Sequence, residues 1–219
     1  MDLSERKHVL DDSSGLTDRA RRFVQQHGVH VPGWMIEQHR LHWARAGRPP
    51  VAVDQLLWFQ ARWGGLVLPP APGYDGGPLT LDGDDPDVNA HGILVTVGNP
   101  RSALPYGFGI NAQGHFGICG MDTWVGLHAS VEGWVESLAL AYAARDNAGR
   151  VRRVTGPAVR TLTEAMTALT PLPEVAGLAD SWWRSADALV AVQRGEAELF
   201  DTDRHLVGYV FEDLNWANI

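Results

Sequence analysis

Within the fourteen residues from His115 to His128 stand His115, Cys119, Asp122 and His128, with Glu132 just beyond. Imidazoles, a thiol and carboxylates are the groups that bind metals and move protons. Their spacing matches no compact zinc pattern, which sets Cys or His in pairs a few residues apart on turns. A Cys–His nucleophile needs an imidazole within hydrogen-bond reach and surroundings that stabilise the thiolate, and the blander reading makes Cys119 a buried structural residue. On a strand His115 and Cys119 share a face, because their separation is even. As an enzyme the chain would use His115, Asp122, His128 and Glu132 as acid–base groups around a tryptophan-lined pocket. No metal site and no cofactor are expected.

Other motifs are weaker. The run Asp82-Gly-Asp-Asp-Pro-Asp87 offers alternating oxygens to a hard cation, but it lacks the sixth-position glycine and closing glutamate of a calcium loop and reads as a solvated turn. No nucleophile elbow, Walker loop or dinucleotide fingerprint occurs, since Gly107-Phe-Gly109 lacks the following glycine and helix start. A formal charge of −8 argues against the basic surface that nucleic acid requires and suits a basic partner. Cys119 is the only cysteine, so an internal disulfide is excluded and a reducing, cytoplasmic setting is expected. The opening MDLSERKHVLDDSSG has no apolar core after its charges, and no apolar run reaches membrane-spanning length, so neither a secretory signal nor a membrane partner is expected.

The elements that must position these groups follow from periodicity. Thr17 is expected to cap a helix through Gln26, with Ala20, Phe23 and Val24 on one face and Gly28 beyond its end. Trp34, Ile36, Leu41 and Trp43 suggest a second helix whose arginines and histidines face water. A third starts at Val53 and ends at Gly64, the expected positive-φ residue, before a brief edge strand at Leu66 to Leu68. Pro69 to His91, with five prolines and five aspartates, reads as a long loop holding one short strand at Leu79 to Leu81. Strands are expected at Ile93 to Val97, Tyr106 to Ile110 and His115 to Ile118, the last two joined by a hairpin over Asn111 to Gly114. Ser130 caps the clearest helix, which runs to about Ala144. Arg150 to Arg153 reads as a connector, Pro157 opens a helix through Leu169, and Leu189 to Val192, Glu198 to Phe200 and Leu206 to Phe211 read as strands. Adjacent Trp182 and Trp183 on a strand point to opposite faces.

The helix carrying Leu57 and Phe59, followed by Trp63-Gly64-Gly65-Leu66 and a proline, resembles the short signature of the SUKH superfamily. Phe108-Gly-Ile110, Gly114, Trp124 and the helix Ser130 to Glu136 are similar to that family's strand, turn, strand and closing helix. The likeness covers roughly residues 25 to 145. It implies an α+β fold with a central, mostly antiparallel sheet flanked by helices, and an immunity-type protein that binds and neutralises a cognate bacterial toxin, often a nuclease. The long loop from Pro69 and the tail after Arg150 depart from the family pattern. The expected organisation is therefore a flexible terminus over 1–15, a SUKH-like core over 16–150 and an extension over 151–219. On the binding reading Tyr74, Asp82, Asp84, Asp85, Asp87 and Trp124 are the expected contacts of an acidic and aromatic face. The alternative is an enzyme or small-molecule-binding protein on the same scaffold.

Overall fold

The computed structural model describes residues 6–89, 92–120, 122–164 and 169–219, and it is an α+β fold in which two antiparallel sheets share one long helix. The first sheet is a seven-stranded meander in chain order: β1 (Val29–His30), β2 (Leu66–Val67), β3 (Pro78–Asn89), β4 (Gly92–Pro100), β5 (Gly107–Asn111), β6 (Phe116–Gly120) and β7 (Thr123–His128). The second holds β8 (Arg150–Thr155), β9 (Thr170–Pro171), β10 (Ser181–Arg184), β11 (Ala188–Gln193) and β12 (Val207–Glu212), ordered β8-β12-β11-β10-β9. Among the described residues six α-helices accompany them: α1 (Asp18–His27), α2 (Ile36–Arg45), α3 (Pro50–Trp63), α4 (Val131–Asn147), α5 (Ala158–Glu164) and α6 (Gly195–Leu199).

Alternation along the strands sorts the first sheet into two faces. Val95, Ile110 and Phe116 meet across three strands, as do Phe108, Ile118 and Val125, and all pack against α1, α3 and α4. The opposite face carries the row Thr96, Gly109, Gly117, Gly126, over which the Trp124 indole lies. α4 is buried on nearly every side because it serves both sheets. Trp134, Val135 and Leu138 join the first core, while Leu140, Ala141 and Ala144 join Trp182, Leu189 and Phe211 of the second.

Local signals place α1 and α4 as expected. Thr17 accepts from the Ala20 amide, and Ser130 accepts from the Gly133 amide. Thr17 also donates its own amide and hydroxyl to the Glu136 carboxylate, each at 2.6 Å, so the cap of α1 is fastened to α4. Asn111 to Gly114 makes the expected hairpin, with Gly114 at φ 82°. Trp182 is buried and Trp183 half-buried, on opposite faces of β10.

Several expectations are corrected. The long loop shrinks to residues 68–77, because Pro78–Asn89 is a twelve-residue strand whose three register shifts against β4 absorb its proline and glycine; His91 lies outside the described residues. α3 starts at Pro50, a proline suited to the first helical turn, and not at Val53. The positive φ belongs to Gly65, at 77°, while Gly64 is at −57°. β2 is not an edge strand, since β1 covers it. Arg150 to Arg153 belongs to β8, Glu198 and Leu199 end α6 before Phe200, and Thr123–His128 forms a strand where periodicity gave none and only the family resemblance set Trp124 on one. The Pro157 helix is observed as Ala158–Glu164, and 165–168 lie outside the described residues. Of the terminal segment expected to be flexible over 1–15, residues 1–5 lie outside the described residues, and the rest is anchored at a few points. Val9 is fully buried, and the buried Arg62 guanidinium donates to the Lys7, Asp12 and Ser14 carbonyls.

Candidate interaction face

The acid–base candidates do not form one constellation. His115 precedes β6 and Asp122 follows it, so five strand residues, about 16 Å at roughly 3.3 Å each, separate them. His128 ends β7 and is 1% exposed, inside the protein. Glu132 lies in the first turn of α4, where its charge acts on Arg6, whose guanidinium stacks 3.5 Å from the Trp58 ring. Cys119 is half-buried, and burial, then the Asp122 carboxylate, push its thiol up, which is the reverse of what a nucleophile needs. Among the described residues no group of three His, Cys, Asp or Glu side chains could hold a metal ion.

Tyr74, expected at a surface contact, is instead buried at the joint between the sheets. Its hydroxyl donates to Asp180 Oδ1 at 2.5 Å and accepts from the Gly195 amide at 3.1 Å. The Arg194 amide donates to the same Asp180 oxygen at 3.1 Å. Burial is the main reason the Asp180 carboxyl is pushed up to about 7, with these donors pulling the other way. Burial alone takes His128 down to about 4. His128 Nε2 is 3.9 Å from Asp180 Oδ2, too long for a hydrogen bond, and with a neutral imidazole the two do not form an ion pair. The gap beside them is about 20 Å³, the space of one water molecule and too little for a substrate. This cluster fastens Tyr74 of the first sheet's loop to β10 and α6 of the second.

The four aspartates lie on β3, and three of them already have partners. Arg48 pairs with Asp85 at 2.9 Å and with Asp87 at 2.8 Å. Gln60 Nε2 donates to Asp82 Oδ1 at 2.5 Å, and Gln60 Oε1 accepts from the Gly83 amide, which ties β3 to α3. Asp84 is the exposed member. Trp124 is half-exposed, on the sheet face away from the helices, where its ring covers Gly109 and Gly117.

The side chains that sequence reasoning missed lie just before and along α2. Val29, Val31, Trp34, Met35 and Leu41 are between 47% and 64% exposed. Val29 lies on β1, the edge of the first sheet, with Val31 next beyond it, and Gly33, just before Trp34, adjoins the Asp82 carboxylate of the acidic strand. Trp34 packs over His39 at 5.1 Å and edge-on to His42 at 5.2 Å. His39, expected to face water, is 3% exposed with neither ring nitrogen hydrogen-bonded. Burial lowers its pKa, and the Asp82 and Asp84 charges oppose that shift. α2 therefore turns a histidine inward and leaves Leu41 in water, with Trp34 and Met35 exposed just before it. The one hint in the sequence was spacing: Ile36, Leu41 and Trp43 do not fall at the three- and four-residue steps of a buried stripe.

No family model, curated protein or solved structure matches the chain.

Proposed function

We propose that this protein works by binding another protein through the face made by Val29, Val31, Trp34, Met35 and Leu41, with Asp84 at its side, and that it is an immunity-type member of the SUKH superfamily that neutralises a cognate toxin. One observation carries the binding reading: five of the ten exposed large apolar side chains among the described residues fall within residues 29–41. Clustered exposed apolar surface beside polar groups is characteristic of protein contact sites, and tryptophan is the side chain most enriched among residues that dominate binding energy. The net charge of −8 favours a basic partner and speeds its approach more than it tightens the complex. The immunity role and the cytoplasmic setting rest on the resemblance of Trp63-Gly64-Gly65-Leu66 and its neighbours. The α+β architecture is compatible with it, and no helix among the described residues is long and apolar enough to cross a membrane.

The acidic strand has a smaller part in this reading than the sequence suggested. Asp82 ties β3 to α3 through Gln60, and Asp85 and Asp87 pair with Arg48 just beyond the end of α2, so these three carboxylates already have partners within the chain. The test is expression of the adjacent gene's product alone and together with this protein. Toxicity alone and growth restored by co-expression are expected. A toxic product that this protein neither rescues nor binds contradicts the immunity role.

A further inference from the structure

Beside the buried joint, the two sheets leave an open cleft of about 660 Å³. One wall is the loop around Tyr74 and Asp75 together with Leu104, Pro105 and Tyr106. The other comes from the second sheet and α6: Arg153, Glu196, Phe200, His205 and Val207. The volume lies in the ordinary range for small-molecule sites, which favour the seams between packed units.

The cleft is braced by hydrogen bonds that do not use up its polar groups. Tyr106 donates to Glu196 Oε1 at 2.5 Å, which fixes the carboxylate, while Glu196 Oε2 accepts no hydrogen bond among the described residues and has His205 Nδ1 at 3.9 Å. Asp75 receives the Ser102 hydroxyl on Oδ2 and is otherwise exposed. Tyr74 and Asp75 are consecutive non-glycine residues at φ 54° and 49°. The strained pair is held by the Tyr74 bonds to Asp180 and Gly195, by the Gly77 amide on the Tyr74 carbonyl at 2.9 Å and by Arg101 on the Gly76 carbonyl at 3.0 Å. Phe200, its ring tilted against His205 at 4.8 Å, and Leu104 supply an apolar floor. Two carboxylates against the single guanidinium of Arg153 leave the lining with an excess of negative charge.

We propose that this inter-sheet cleft binds a small organic amine with an apolar body, its ammonium held by Glu196 and Asp75 and its apolar part on Phe200 and Leu104. Arg153 is placed on the same lining to accept a carboxylate when the ligand carries one. The site is separate from the α2 face, so it stands or falls independently of the toxin-binding reading.

Titration calorimetry on the whole protein tests it with three probes of one size: phenethylamine, L-phenylalanine and 3-phenylpropanoate. The two amines are expected to bind in the millimolar range or tighter, and the acid without an amine at least tenfold more weakly. Glu196→Gln is expected to weaken phenethylamine at least tenfold. Should that variant lose its cooperative melt, Asp75→Asn, altered only at an exposed side chain, takes its place with an expected loss of at least threefold. No heat with either amine, equal or tighter binding of 3-phenylpropanoate, or amine binding untouched in the folded variant overturns the proposal.

Discussion

Asp180 and Gly65 show how single residues carry the fold. Asp180 titrates near 3.8 when unfolded and about 7 when folded, so its stabilising state is the protonated one. Its contribution is fully present below pH 3.8 and is lost as pH rises through 7. His128 works in the opposite sense: its folded pKa falls to about 4 from 6.5, so it costs stability as pH drops through that window. Asp180→Asn keeps an oxygen for the Tyr74 hydroxyl and removes only the acidic group. Its stability relative to the parent is expected to rise between pH 4 and 7 by up to about 4 kcal/mol and then level off. Urea unfolding of both proteins at pH 4.5, 6 and 8 measures this, and a difference independent of pH would count against the buried-carboxyl account. At Gly65 an added Cβ meets the Val31 carbonyl at 2.1 Å on a backbone at φ 77°, whereas at Gly15, φ 88°, it meets nothing within 4 Å. Gly65→Ala is therefore expected to cost more than about 2 kcal/mol and Gly15→Ala about 1 kcal/mol, read from denaturant midpoints.

At the scale of elements, what was legible was what is decided locally. Thr17, Ser130 and the Asn111–Gly114 turn act within a few residues of themselves, and each was readable from its own side-chain chemistry. β3 was hidden because proline, glycine and aspartate are poor strand formers, and β8 because its three arginines and exposed face give no buried period-two pattern; partners far along the chain set both strands. β3 is held by β4 with three register shifts and by Gln60 of α3, and β8 by a six-residue register with β12. α2 deceived for a related reason: of its apolar side chains Trp43 packs on the core while Leu41 stays in water, so burial could not be inferred from residue type. Of the expected contacts, Asp84, Asp85, Asp87 and Trp124 keep exposed surface, Asp85 and Asp87 while paired with Arg48, whereas the role of Tyr74 at the joint depends on Asp180, a residue 106 positions away. The α1–α4 fastening gives a direct check. Glu136→Ala strands the Thr17 amide and hydroxyl and is expected to cost about 1 to 3 kcal/mol, with amide exchange in α1 speeding up more than in β5 or β6. Equal acceleration across the sheet would show that Glu136 does not act through α1.

For the whole molecule, α4 and the Tyr74–Asp180 joint make the two sheets one scaffold with two separate exposed features, the apolar face at α2 and the cleft beside the joint. A partner drawn by net charge is expected to associate more slowly as salt is raised, while an apolar contact at Trp34 governs how slowly it leaves. The most direct measurement is the affinity of the neighbouring gene's product for the parent protein, for Trp34→Ser and for Val151→Ser, the last an exposed apolar side chain at the far edge of the second sheet. Trp34→Ser is expected to keep a cooperative melt and to bind about 30-fold more weakly or worse, and Val151→Ser to bind like the parent. A Trp34→Ser protein that binds the partner as tightly as the parent would contradict the binding reading.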